Sequence, residues 1–135
     1  MSRRDQYHGP KPQPVIPTAP FDTVEEAWFW FIQAQDARND GARFAAGQGL
    51  VARSCEPLDI LKVLDGLYRQ RRVLMDHLLV LRHYGRRLLP PDPRRTKELR
   101  AYGLWREALE RLHPVLVRKG IIRNNIYSLF PEAAE

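Results

Sequence analysis

Only one cysteine, Cys55, occurs among the 135 residues. It excludes an intramolecular disulfide and fits a reducing compartment. Long apolar runs are also missing, and the longest stays far short of the ~18 residues a membrane-spanning helix needs. Arg3 and Arg4 are not followed by the apolar stretch of a secretory signal. The expectation is a cytoplasmic protein without a membrane role. No G-x-x-x-x-G-K-[ST], G-x-G-x-x-G or G-x-S-x-G pattern is present, so phosphate cradles and serine elbows lack their signatures. His8, His77, His83 and His113 are scattered, and His77 and His83 do not share a helix face as metal ligands would. Asp36 and Asp40 have one-face spacing, but two carboxylates alone read as solvated surface. Asp76 and His77 are adjacent and so point to different helix faces, which makes no dyad. The chain is read as non-enzymatic, with no metal and no cofactor.

What the chain does hold is positive charge. Lys and Arg number 22 against 16 Asp and Glu, a net +6, with arginine far ahead of lysine. The distribution is uneven: residues 1–20 carry +2, residues 21–61 carry −4 and residues 124–135 carry −2. Residues 62–123 hold sixteen Lys and Arg against six acids, or +10. A segment so charged favours a polyanionic partner. The competing reading is a solvated helical surface whose arginines pair with Glu98, Glu107 and Glu110 at helical spacing.

Residues 1–20 contain five of the eleven prolines and read as a disordered, extended arm. A single helical domain is expected over 21–123. Its first helix starts near Thr23, with Thr23/Glu26 or Asp22/Glu25 as capping box. Val24, Ala27, Trp28, Phe31, Ile32 and Ala34 form the apolar stripe. Phe29 and Trp30 fall off it, so this helix is either buried on two sides or shows an aromatic patch to a partner. It ends around Asn39–Gly41. Residues 41–56 form a connector with one short extended piece, and Cys55 reads as a packed thiol.

The next helix opens at Glu56–Pro57, with Leu58, Leu61, Leu64, Leu67 and Tyr68 as its stripe and Ile60 and Val63 flanking. Residues 57–87 read as one long helix or as two broken at Gln70–Val73, and ordinary helix lengths favour two. Gly85 and the prolines of 88–93 end that stretch. The last helix is expected from near Arg94, with Asp92 as N-cap and Pro93 in first position. Its apolar residues are Leu99, Tyr102, Trp105, Leu109, Leu112, Leu116 and Val117. Pro114 should kink it or end it near Leu112–His113, and Gly120 marks the final stop. Residues 124–135 read as a loosely held tail in which Ile126, Tyr127, Leu129 and Phe130 suit docking on a partner. No segment reads as a strand. The fold is expected to be all-α, a small bundle of about four helices.

Residues 57–123 have the ingredients of a helix–turn–helix: short helices, a locking stripe and cations placed for phosphates and base edges. Leu67, Leu74, Leu78, Leu81 and Tyr84 are expected to pack against Trp105, Leu109 and Leu112. Arg94, Arg95, Lys97 and Arg100 cluster where the last helix begins, and Arg69, Arg71, Arg72, Arg82, Arg86 and Arg87 offer further backbone contacts. The stretches LYRQRRVLMDHLLVLRHYG (67–85) and LWREALERLHPVLVRKGI (104–121) resemble the end of a sigma-factor region 4 or a phage antitermination Q-like helix–turn–helix. Residues 24–122 also resemble a group of small uncharacterised alphaproteobacterial proteins. The first resemblance implies duplex DNA binding in transcription regulation, with Arg94, Arg95, Lys97 and Arg100 facing DNA and RNA polymerase as a further partner. The chain departs from the sigma pattern at 88–93, a proline-rich loop where that family has a short helix and a small-residue turn. The alternative is a protein-interaction adaptor or homodimer that uses the aromatic helix 24–39.

Overall fold

A computed structural model describes residues 18–39, 52–53 and 55–124. Four helices dominate them: α1 (Val24–Asn39), α2 (Pro57–Arg69), α3 (Met75–Arg87) and α4 (Leu99–Arg118). The protein is all-α in class, and residues 57–87 are two helices, not one. Residues 1–17 of the arm and residues 125–135, with Ile126, Tyr127, Leu129 and Phe130, lie outside the described part. The short extended piece expected in the connector is β2 (Ala52–Arg53), and the reading that no segment is a strand is corrected by its parallel pairing with β1 (Thr18–Ala19). Phe21 extends this join to the chain beyond α4: its N–H donates to the Ile121 carbonyl at 2.8 Å, and its carbonyl accepts from Arg123 at 2.8 Å. Strands of two residues are too short to show an alternation in sequence.

The first helix begins where the Thr23/Glu26 spacing places it. Thr23 Oγ1 accepts the Glu26 N–H at 3.1 Å, and Glu26 Oε1 accepts the Asp22 N–H at 2.8 Å. Buried in α1 are Val24, Ala27, Trp28, Phe31, Ile32 and Ala34, the whole expected stripe. The off-stripe aromatics also pack inward. Phe29 lies 5.7 Å from the Trp105 ring, and Trp30 lies 5.2 Å from that of Phe21. The aromatic run therefore serves the core on two sides.

The helices α1 and α4 touch each other and both touch α2 and α3, whereas α2 and α3 make no comparable contact. Helix–turn–helix features are thus divided between two connections. The tight turn joins α2 to α3, while the broad contact is between α3 and α4. In α2 the buried residues are Ile60, Val63, Leu64 and Leu67. Leu58, Leu61 and Tyr68, expected in the stripe, are exposed. Seven apolar residues in that helix allow two overlapping stripes, and contact with α1 and α4 selects one. The same choice buries Val73 and leaves Leu74 exposed at the start of α3. Leu99 of α4 is exposed as well.

Helix α3 ends at Arg87, the expected limit of the 57–87 stretch, with Gly85 buried inside it and not at its stop. The bounds of the last helix depart further from expectation. Helix α4 starts at Leu99, after a 3-10 turn over Thr96–Glu98. Asp92 caps a turn in place of a helix: Oδ1 accepts the Arg94 N–H at 2.9 Å, and the Asp92 N–H donates to Glu98 Oε1 at 3.1 Å. A short aspartate side chain bonding two residues ahead competes with helix initiation. Pro114 sits inside α4, which continues to Arg118. A proline there costs about 3 kcal/mol, but its ring is on the solvent side while Leu109, Leu112 and Leu116 stay buried around it.

Candidate nucleic-acid interface

The positions of the cations follow from how the helices end. Helix α2 stops in a Schellman motif, in which the Arg72 N–H donates to the Leu67 carbonyl at 2.9 Å and the Arg71 N–H to that of Tyr68 at 3.0 Å. Helix α4 ends the same way, the Ile121 N–H donating to Leu116 and that of Gly120 to Val117. The motif needs one residue in left-handed geometry. Gly120 supplies it after α4 with φ of 75°, but Arg71 occupies it after α2 with φ of 61° and Leu88 after α3 with φ of 56°. A side chain in this region costs about 1–2 kcal/mol, which glycine avoids at some entropic cost. Replacing Arg71 by glycine should therefore raise the unfolding free energy by about 0.5–1 kcal/mol in urea titration. Unchanged or reduced stability would show that the arginine side chain makes a compensating contact.

The nine site residues expected from sequence fall into two groups. Arg69, Arg71 and Arg72 lie at the end of α2 and in the turn after it. Arg86 and Arg87 end α3, Arg94 and Arg95 lie in the proline loop, Lys97 in the 3-10 turn, and Arg100 in the first turn of α4. Half of the second group faces carboxylates. Arg94 Nε is 3.4 Å and Arg95 Nε 3.8 Å from Asp92; Arg95 is also 3.8 Å from Glu98, and Arg100 is 3.0 Å from Asp76. The Arg94 N–H, then the guanidinium groups of Arg94 and Arg95, hold the Asp92 carboxyl below its usual range. Arg87 lies 5.6 Å from the Tyr84 ring centre. In the first group Arg69 pairs with Asp65 at 3.1 Å, one helical turn away. Of the acids expected to pair with these arginines, Glu98 does so. Glu107 accepts instead from His77 Nε2 at 2.8 Å, which lowers its pKa. His77 Nδ1 accepts the Leu74 N–H at 3.0 Å, so the ring starts α3 and ties it to α4. His77 was not singled out by sequence spacing because Glu107 lies on another helix.

Two surface clefts show the difference in charge. The one along the proline loop, ≈ 380 Å³, has Arg87 and Arg95 facing Asp92 and Glu98. The other, ≈ 260 Å³, lies between α2, the turn after it and the last turn of α4. It is lined by Lys62, Val63, Gly66, Leu67, Gln70, Arg72, Val115, Arg118 and Lys119. Four of these residues are cations and none is an acid. Lys62, Arg118 and Lys119 belong to the basic segment but were not singled out from sequence. They meet because the start of α2 lies beside the end of α4, as Lys62 and Lys119 also line a neighbouring cleft with Asp59 and Cys55.

The surroundings of Cys55 favour the protonated thiol. Burial, then the carboxylates of Asp59 and Glu56, push its thiol up to about 11, opposite to the lowering a helix N-terminus can produce. Among the described residues no group of three or more His, Cys, Asp or Glu is arranged to hold a metal ion, and no helix is long and apolar enough to cross a membrane. Compared with family models, curated proteins and solved structures, the chain matches none.

Proposed function

We propose that the protein is a non-enzymatic DNA-binding regulatory protein that takes duplex DNA through the basic surface of residues 62–123. The observation that supports this most is charge left uncancelled. Among the described residues Lys62, Arg71, Arg72, Arg82, Arg86, Lys97, Arg118 and Lys119 form no ion pair, although six acids share their segment. Arg82 and Arg86 share the exposed face of α3 with Met75 and Leu79. Arg69, Arg94, Arg95 and Arg100 are engaged in the free protein, but exposed pairs are worth only about 0–1 kcal/mol. A phosphate can therefore displace the carboxylate.

The alternative, an adaptor or homodimer using helix 24–39, draws no support from this geometry, because the aromatic residues of α1 are packed in the core. The test is fluorescence anisotropy with a labelled mixed-sequence duplex. Binding is expected at low salt, with log K falling by about 0.9 per unit of log salt for each phosphate contacted. No binding at about 50 mM salt would overturn the reading.

A further inference from the structure

We propose that the cleft lined by Gly66 and four cations is a phosphate-binding site and, resting on the DNA reading above, that it grips one phosphate of the duplex backbone. Lys62, Arg72, Arg118 and Lys119 converge on it from three segments of chain, with no acid in the lining. Like charges gathered on one cleft repel, and this set has no carboxylate within the site to offset the repulsion. An anion supplies the missing countercharge. Two kinds of donor are on hand: the forked guanidinium groups of Arg72 and Arg118, and the compact ammonium groups of Lys62 and Lys119. The Gln70 amide adds a neutral donor.

Gly66 is the second observation. It lies in the interior of α2, where glycine is about 1 kcal/mol less favourable than alanine. Its backbone has no left-handed φ to excuse it, and a Cβ built there would meet nothing within 4 Å. Neither a turn nor close packing therefore requires glycine at this point; its missing side chain leaves open space in the wall of the cleft that the four cations also line. The size agrees. At ≈ 260 Å³ the open cleft is smaller than the ~300–1,000 Å³ of sites that enclose a whole small molecule. A single tetrahedral anion on a longer chain suits it.

The experiment uses the full chain in two arms. In the first, duplex binding is followed by anisotropy between about 50 and 200 mM salt for the wild type, Arg72→Gln/Arg118→Gln and Gly66→Glu. Arg38→Glu, which alters the charge by the same two units outside residues 62–123 and away from the cleft lining, is the control. Both cleft variants should lose about tenfold or more in affinity, with a salt slope shallower by about 0.9, while the control changes little. Gly66→Glu places an acid in open space and improves helix propensity, so loss of binding there cannot be assigned to misfolding; melting temperatures check this. In the second arm, pyrophosphate is titrated while the backbone amide resonances of Gly66, Gln70 and Lys119 are followed. Saturable shifts absent from Gly66→Glu are expected. Duplex binding that the cleft variants leave unchanged overturns the inference and spares the DNA reading. Pyrophosphate shifts without duplex binding sustain a phosphate site and overturn the DNA reading. Absence of both removes the site.

Discussion

Replacing Gly85 by alanine is expected to lower the unfolding free energy by about 2–3 kcal/mol, the upper range for overpacking a filled core. A Cβ at this position would lie 2.7 Å from Trp28 Nε1 and 2.9 Å from Ile32 Cγ1. Neither neighbour can yield easily. Trp28 Nε1 donates to the Leu81 carbonyl at 2.9 Å, so the indole is tied to the same helix the methyl would grow from. Ile32 is buried and β-branched, with little rotamer freedom. The gain in helix propensity, about 1 kcal/mol, offsets part of the clash and is included in the range. Urea denaturation with an unchanged slope checks the value. Combining Gly85→Ala with Trp28→Phe should cost less than the two single changes added, because the smaller ring vacates the contact. Full additivity would mean that α1 and α3 separate as a whole.

Truncating Trp105 to alanine should have the larger effect, about 3–5 kcal/mol, by loss of transfer free energy and creation of a cavity. Trp105 is 0% exposed and stands where α1, α3 and α4 meet. Its ring is 5.7 Å from Phe29 and 6.3 Å from Tyr84, and its Nε1 donates to Glu25 Oε2 at 3.1 Å. Removing it leaves the aromatic rings of two helices facing a void and takes a donor from the Glu25 carboxylate. Typical domains have only about 5–15 kcal/mol of stability, so the variant should be close to unfolding at 37 °C. Trp105→Phe keeps most of the volume and should cost about 1–2 kcal/mol. A loss below about 1 kcal/mol for Trp105→Ala would place the core elsewhere.

Helix α1 was the element most legible in sequence. Its stripe has one phase, and what stayed open, the choice of Thr23/Glu26 over Asp22/Glu25 as cap and the role of Phe29 and Trp30, was settled by the placed side chains. Helix α2 was less legible because Leu58, Leu61 and Tyr68 offer a stripe as good as Ile60, Val63, Leu64 and Leu67. Periodicity reports that a face exists but, when apolar residues surround the helix, does not say which face meets a partner. Gly85 misled for a related reason. A glycine near a run of prolines resembles a helix stop, and its actual use, letting Trp28 and Ile32 approach α3, depends on another helix. The candidate interface divided in the same way. The basic segment was evident from charge counting, and so were Arg71 and Arg72. Lys62, Arg118 and Lys119 carried no local mark.

The sequence by itself determined the helical class, the number of helices within one alternative, the apolar stripe of α1 and the +10 carried by residues 62–123. These depend on composition and on spacings of three or four residues, which the chain sets locally. Tertiary structure decided which cations are neutralised and which converge. Asp76 reaches Arg100, and Asp92 and Glu98 hold the loop arginines, while the end of α4 brings Arg118 and Lys119 to Lys62 and Arg72. Electrostatic interaction falls with distance in space, not along the chain, so the same sixteen cations could have formed a neutral surface or a charged cleft until the helices were placed.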